Sequence, residues 1–252
     1  MGEALVGGLL GAGWAEPSEL VLVETVESRR RELVERFSGV DVRSEPVASE
    51  GAVIAVKPGD VESACRAVSA AGIGRVLSIA AGVRLLDLET WLGAGVPVVR
   101  AMPNTPALVG EGASAVAAGR HAVDADLAWA EGILGAVGIV VRVTEDQLDA
   151  VTGLSGSGPA YVFLVAEALI EAGVAGGLPR EVSSSLVTQT LLGSARLLAG
   201  SGQGPEALRA GVTSPGGTTA AGVGALEARA MRAAFLEAVL AATERSRQLG
   251  RT

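Results

Sequence analysis

From residue 20 to about residue 142, short continuous apolar runs alternate with longer stretches of helical periodicity. The runs are LVLVE at 20 to 24, AVIAVKP at 52 to 58, RVLSIAAG at 75 to 82, PVVRAMPN at 97 to 104 and IVVRV at 139 to 143. Their apolar positions are consecutive instead of alternating. Each run therefore predicts a strand covered on both faces, with helices at 26 to 38, 60 to 71, 83 to 92 and 124 to 136 as the cover. That rhythm predicts an α/β fold with a doubly wound, Rossmann-type parallel sheet. Past residue 146 the strand pattern stops, and helices are predicted at 158 to 175, 179 to 199, 204 to 211, 218 to 228 and 230 to 249. Gly176, Gly177 and Pro179 punctuate one break, and Gly200, Gly202, Gly204 and Pro205 another. The expected division is a dinucleotide-binding domain over 1 to 146 and an all-helical dimerisation and substrate domain over 147 to 252.

Two parts of this pattern depart from a self-contained two-domain chain. Helices 158 to 175 and 179 to 199 are apolar around more than one face, with Val162, Phe163, Val165, Ala166, Leu169 and Ile170 in the first. Such helices need cover, which a second copy supplies in a homodimer or a monomeric bundle supplies by burying them. The other part is the amino-terminal stretch. A doubly wound dinucleotide domain opens with a strand, a glycine turn and a helix whose amino end carries the pyrophosphate. Residues 1 to 13, MGEALVGGLLGAG, read as the helix after that turn, with Gly7, Gly8 and Gly11 permitting close packing on strands. The sheet is thus expected to lack its first strand, and Gly2 is at most the last glycine of a G-x-G-x-x-G fingerprint. A start codon assigned too late and a true truncation both account for this; the chain as written is expected to bind NAD(P)H poorly or fold poorly. Glu24, about 22 residues past Gly2, stands where an acidic residue bonds an adenosine ribose. Arg29 and Arg30 suit either a ribose phosphate or solvated charge on a helix face.

Composition narrows the partners. With 252 residues and 49% hydrophobic content the chain can bury a substantial core, and a net charge of −8 disfavours nucleic acid. One cysteine, Cys65, and one histidine, His121, allow neither an intramolecular disulfide nor a Cys/His zinc site, so no metal is expected and a reducing cytoplasm is. The uncharged stretches 150 to 166 and 210 to 226 are broken by Gly, Ser, Thr and Pro, so no membrane span is expected. No basic run precedes an apolar stretch at the amino terminus, so no secretory signal is expected either.

The densest candidate chemistry lies in GVTSPGGTT at 211 to 219, where Thr213, Ser214, Thr218 and Thr219 surround Pro215, Gly216 and Gly217 ahead of a helix. Pro215 fixes a turn, the glycines let backbone amides approach a ligand, and the helix points its positive end at the same spot. A small carboxylate suits such a cradle. An ordinary loop in which Thr218 or Thr219 caps the helix is the alternative. His121 sits in the polar segment GRHAVDAD, which favours a surface position over an acid's role.

These pieces together resemble the pyrroline-5-carboxylate reductase family. The resemblance rests on MGEALVGGL (1 to 9), AVKP (55 to 58), SIAAG (78 to 82), VRAMPNTPALVGEGASA (99 to 115), DAVTGLSGSGPAYVF (149 to 163), GLPR (177 to 180) and VTSPGGTT (212 to 219), and spans nearly the whole chain. It implies a dinucleotide-binding domain, a helical domain that interleaves in a dimer, an active site between the domains, and NADPH or NADH reducing a cyclic imine to L-proline. It places Val56, Lys57 and Pro58 on one cofactor loop, Ala80, Ala81 and Gly82 on the next, and Met102, Pro103, Asn104 and Thr105 beside the nicotinamide. Asn104 holds the carboxamide on that reading, or else forms a turn. It assigns Ser214, Gly216, Gly217, Thr218 and Thr219 to the substrate carboxylate, with the Thr219 hydroxyl at the ring nitrogen as the catalytic group. Ser155 and Ser157 are expected to cap the helix beginning at Pro159. A β-hydroxyacid or imine reductase of similar architecture would use a lysine on an interdomain helix, and 149 to 199 contains none. A non-enzymatic dimerisation module is the remaining alternative.

Overall fold

In the computed structural model, which describes residues 1 to 250, each apolar run becomes a strand shorter than the run, because its last residues leave the sheet as a loop. In chain order the first half runs α1 (Gly2–Gly11), β1 (Val21–Val23), α2 (Glu27–Arg36), β2 (Asp41–Arg43), β3 (Ala52–Ile54), α3 (Val61–Ala70) and β4 (Val76–Ser78). It continues through α4 (Leu85–Leu92), β5 (Val98–Met102), β6 (Gly112–Ala118), α5 (Asp124–Gly135), β7 (Gly138–Arg142) and the short α6 (Leu148–Val151). The second half is helical throughout, as expected: α7 (Gly158–Ala175), α8 (Arg180–Gly200), α9 (Pro205–Gly211), α10 (Thr218–Ala228) and α11 (Met231–Leu249).

The sheet departs from the expectation in two ways. Strands β2 and β6 were not anticipated, and β6 runs antiparallel to β5, so the sheet is mixed rather than wholly parallel. The connection from β5 to β6 is a short stretch built around the helical turn Thr105–Val109. A parallel crossover needs a dozen or more residues, usually an intervening helix, and this link is too short to supply one. The sheet is also in two pieces, β1–β2 and β3–β4–β5–β6–β7, so β1 and β3 each keep one unpaired edge. Helix α1 ties the pieces together. Its Leu5 and Leu9 pack with Leu77 and Val99 of the larger sheet and with Val137 just before β7, while Val6 and Leu10 pack with Phe37, Val40 and Leu22 around the smaller one. Of the glycines expected to permit this packing, only Gly8 is tight: a Cβ there would stand 2.1 Å from Val137 Cγ1, whereas Gly11 meets nothing within 4 Å.

Successive residues of the central strands serve opposite faces. Val76 and Val98 pack under α3 and α4 with Val61, Cys65 and Leu88, whereas Leu77 and Val99 pack under α1 and α5 with Ile133 and Leu134. Two covered faces are what consecutive apolar residues demand. Burial of Cys65 pushes its thiol up to about 11.

The chain forms two compact units: Met1–Ser157 together with the segment from Leu240 onward, and Gly158–Val239. The expected boundary at 146 and 147 sits earlier, and the return of the chain after Leu240 had no expected counterpart. Within the second unit α7 and α8 lie against each other, with Ser183 buried at their contact and its Oγ donating to the Ile170 carbonyl at 2.8 Å. A Cβ on Gly173 would stand 2.2 Å from that Oγ, which explains why glycine occupies the position. The outward side chains are apolar, with Phe163 62% and Leu164 65% exposed. The helical run Glu145–Ala175 is long and apolar enough to cross a membrane by length and composition, the glycines and serines at its start notwithstanding.

Candidate functional site

In the first unit, four loops leave the carboxyl ends of parallel strands: at Glu24 after β1, at Ala55 after β3, at Ile79 after β4 and at Pro103 after β5. Ligands of open α/β sheets bind at these ends. The amino end of α1 joins them, since a Cβ on Gly2 would stand 3.3 Å from Ala55 Cβ. Met1 provides no side-chain cap, so the first amides of α1 stay open beside the β3 loop, a disposition that favours negative charge. Val56, Lys57 and Pro58 are exposed, as is Ala81, while Ala80 is buried and Gly82 holds a left-handed φ of 76° that a side chain would strain. All of the cofactor residues expected on the first three loops thus lie at strand ends.

Three sequence expectations change in detail. Arg30 is engaged by the protein: its Nη1 donates to the carbonyls of Glu24 and Thr25, both at 2.8 Å. Arg29 pairs with Glu3 and Glu32. Both guanidinium groups therefore have protein partners, which weakens the case for a ribose phosphate there. Glu24 Oε1 accepts from the Val26 N–H at 2.9 Å, which leaves its second oxygen as an open acceptor. Asn104 is buried, and its amide bridges the chain, Nδ2 donating to the Ser155 carbonyl at 3.0 Å and Oδ1 accepting from the Ala113 N–H at 2.8 Å. It therefore fixes the loop after β5 rather than projecting from it. Met102 lies half-buried beside Gly156, where a Cβ would stand 2.7 Å from its Cε.

Ser155 and Ser157 do not cap a helix. Thr152–Gly156 forms a π turn that continues the helical run, in which Ser155 Oγ donates back to the Val151 carbonyl at 3.2 Å and Ser157 N–H to the Thr152 carbonyl at 2.8 Å. A single widened turn of this kind inside a helical run is frequent at functional sites. His121 is exposed in the turn between β6 and α5.

In the second unit, Ser214, Pro215, Gly216 and Gly217 make a turn closed by Gly217 N–H donating to the Ser214 carbonyl at 3.0 Å. Gly216 has φ 70°, and proline followed by left-handed glycine is the pairing a type II turn requires. A Cβ on Gly217 would stand 2.6 Å from Ser214 Oγ, so glycine is needed there for space. Gly217 is itself the N-cap of α10, and no side chain caps the helix. The first intrahelical bond runs from Ala221 N–H to the Gly217 carbonyl, which leaves the amides of Thr218, Thr219 and Ala220 in the open first turn. The capping role considered for Thr218 or Thr219 is thereby excluded. Three open amides, two threonine hydroxyls and the positive end of a helix can hold one carboxylate.

Sequence reasoning missed Glu145 and Asp149. Glu145 Oε1 accepts from the Leu85 N–H at 2.6 Å and from Arg100 Nη1 at 3.0 Å, and Asp149 Oδ1 accepts from Ser246 Oγ at 2.6 Å. Isolated acids carry no local signal of such long-range bonds. Among the described residues no group of His, Cys, Asp and Glu side chains could hold a metal ion.

A family model for pyrroline-5-carboxylate reductase dimerisation matches residues 145–249. The pyrroline-5-carboxylate reductase of Arabidopsis thaliana is 44% identical over 258 residues, covering 100% of this chain and 93% of the relative. That of Corynebacterium melassecola is 40% identical, covering 100% and 96%. Among solved structures, a pyrroline-5-carboxylate reductase from Coxiella burnetii superposes with a TM-score of 0.94 at 36% identity, covering 100% of this chain and 95% of the other. The Plasmodium falciparum pyrroline carboxylate reductase, solved with NADP bound, gives 0.85 at 32% identity, covering 99% and 94%.

Proposed function

Because this chain belongs to the pyrroline-5-carboxylate reductase family, we propose that its strand-end loops hold NAD(P)H and that its Ser214–Thr219 turn holds the substrate's acid group. The protein is an NAD(P)H-dependent oxidoreductase that reduces 1-pyrroline-5-carboxylate to L-proline, the last step of proline biosynthesis. When bound, the reduced nicotinamide supplies the hydride. What remains for the residues of this chain is to bind, orient and neutralise.

Gly2 at the open end of α1, Val56, Lys57 and Pro58 after β3, and Ala80, Ala81 and Gly82 after β4 form the cofactor loops, with Glu24 on the adenosine ribose. Small or exposed backbone at these positions fits an extended dinucleotide. Met102 and Asn104 shape the loop nearest the reacting ring, Asn104 through its own bonds to Ser155 and Ala113. On the substrate side, the amides at the start of α10 and the hydroxyls of Ser214 and Thr218 take the carboxylate, while the Thr219 hydroxyl bonds the ring nitrogen. A protonated cyclic imine is already electrophilic at carbon, so orientation contributes more than a strong acid would. The C=N bond takes the hydride at carbon, its π pair passes to the iminium nitrogen, and the neutral ring amine results.

The single observation that carries this reading is the glycine N-cap of α10, which leaves a first turn of amides without any side-chain partner. Gly217→Ala tests it, because the added Cβ must displace Ser214 Oγ. The Michaelis constant for pyrroline-5-carboxylate is expected to rise about tenfold or more with that for NADPH unchanged, the mark of lost ground-state binding. An unchanged substrate constant would refute the cradle.

The apolar outer faces of α7 and α8 are read as the interface of a homodimer, supported by the dimerisation match over 145–249, and that match favours a protein partner over lipid for Glu145–Ala175. The single cysteine and the bacterial relatives support a cytoplasmic setting.

A further inference from the structure

The loop from Ala80 to Arg84 leaves β4 and enters α4, and on the reading above it touches the cofactor. Two carboxylates four residues apart, Glu145 and Asp149, bond the elements on either end of its surroundings, α4 and α11. Glu145 accepts from the N–H of Leu85, the first residue of α4, at 2.6 Å. Helix α4 has no side-chain cap of its own from Arg84, so Glu145 supplies that cap from a distant part of the chain. The same oxygen accepts from Arg100, whose side chain is 9% exposed on β5, so the carboxylate is itself held in place. On the next turn Asp149 accepts from Ser246 Oγ at 2.6 Å, which anchors the carboxyl-terminal stretch of α11 where Thr243 and Ser246 are buried. That stretch ends against the loop. A Cβ on Gly82 would stand 3.5 Å from Leu249 Cβ, and one on Gly250 would stand 3.2 Å from the Gly82 carbonyl oxygen.

We propose that Glu145 and Asp149 are positioning residues for the cofactor loop, Glu145 by fixing its exit into α4 and Asp149 by holding the end of α11 against Gly82. Neither touches a ligand. Their effect is to keep a glycine in the left-handed region and an exposed Ala81 from sampling conformations that cannot accept a dinucleotide. The inference rests on the assignment of Ala80–Gly82 to the cofactor, so the test separates the two.

Asp149→Ala and Ser246→Ala each delete one end of the same bond, and Asp149→Asn keeps the acceptor. In the 252-residue chain, each alanine variant is expected to raise the Michaelis constant for NADPH about threefold to tenfold, the worth of one hydrogen bond. The turnover number and the constant for pyrroline-5-carboxylate should stay within about twofold, and Asp149→Asn should restore NADPH affinity. Gly82→Val reports on the loop directly and should weaken NADPH at least as much. If Gly82→Val weakens NADPH while Ser246→Ala and Asp149→Ala do not, the clamp is refuted and the loop assignment stands. If Gly82→Val leaves NADPH binding unchanged, the loop does not serve the cofactor and the clamp falls with it. Should Ser246→Ala lower turnover, both affinities and the thermal midpoint together, the bond is structural only and the proposal is overturned.

Discussion

Lys57 and Cys65 are the only lysine and the only cysteine of the chain, and their surroundings are opposite. Lys57 is exposed on the loop after β3, so an amine-selective acylating reagent should modify it together with the amino terminus alone. Saturating NADPH should slow that modification and the accompanying loss of activity by about fivefold or more, as expected when a ligand covers the group. A labelling rate indifferent to NADPH would remove Lys57 from the cofactor loop. Cys65 is fully buried on the inner face of α3, and a thiol reagent should leave it untouched in the native protein. Its raised pKa also has a thermodynamic sign. Between the ordinary thiol value near 9.0 and about 11 the folded protein keeps the proton while the unfolded chain releases it, so this contribution is complete below pH 9 and is lost as pH rises to about 11. Denaturant midpoints should fall more steeply with pH over that window in the wild type than in Cys65→Ala. At this scale the sequence reveals residue type and loop position well. It does not reveal that Arg30 is taken by two carbonyls or that Asn104 is spent on Ser155 and Ala113, because those partners come together only once the chain has folded.

Among the elements, strands β4 and β5 were legible because both faces are covered and their residues are consecutively apolar. Strand β2, Asp-Val-Arg, has two charged residues flanking one valine at the edge of a two-stranded sheet, a pattern with no strand signal of its own. Strand β6, GASAVAA, is built of small residues because Ala115 and Ala117 pack in a narrow space beside Leu148, and such a run looks equally like a helix. The break between β1 and β3 has a dynamic consequence. The strand β4 is hydrogen-bonded on both sides and wholly buried, whereas β1 has one partner and two exposed valines around a small core of Leu33, Phe37 and Val40. Local opening is cheapest where few buried contacts oppose it. In native-state hydrogen exchange the β1–β2 amides should therefore be exchanged about a hundredfold or more faster than those of β4, a gap of roughly 3 kcal/mol in opening free energy. Equal protection would mean that α1 couples the two sheets into one cooperative block.

For the molecule as a whole, the proposal that the exposed apolar faces of α7 and α8 form a homodimer interface governs what assembly should be found. Phe163, Leu164, Leu186 and Leu197 are each more than half exposed in the single chain, and large apolar side chains left so open fit that reading. Sedimentation should find a dimer or a larger homo-oligomer. Leu164→Arg should weaken association by about 2 kcal/mol or more, roughly thirtyfold, by placing a charge where a buried anchor belongs. A wild type that sediments as a monomer would send these faces to some other partner. The apolar excess on these helices was legible in the sequence, while the return of the chain to the first unit after Leu240 was not, since Thr243 and Ser246 are polar and give no hint of burial. That return makes the first unit discontinuous along the polypeptide. A gene fragment stopping at Ser157 would strip Asp149 of Ser246 and uncover Gly82, so neither a recombinant half nor a nicked fragment should reproduce the dinucleotide affinity of the whole. A chimera that joins the α/β half of this enzyme to the end of α11 from a relative should accordingly keep its turnover and lose dinucleotide affinity wherever the two halves do not restore the Asp149–Ser246 bond.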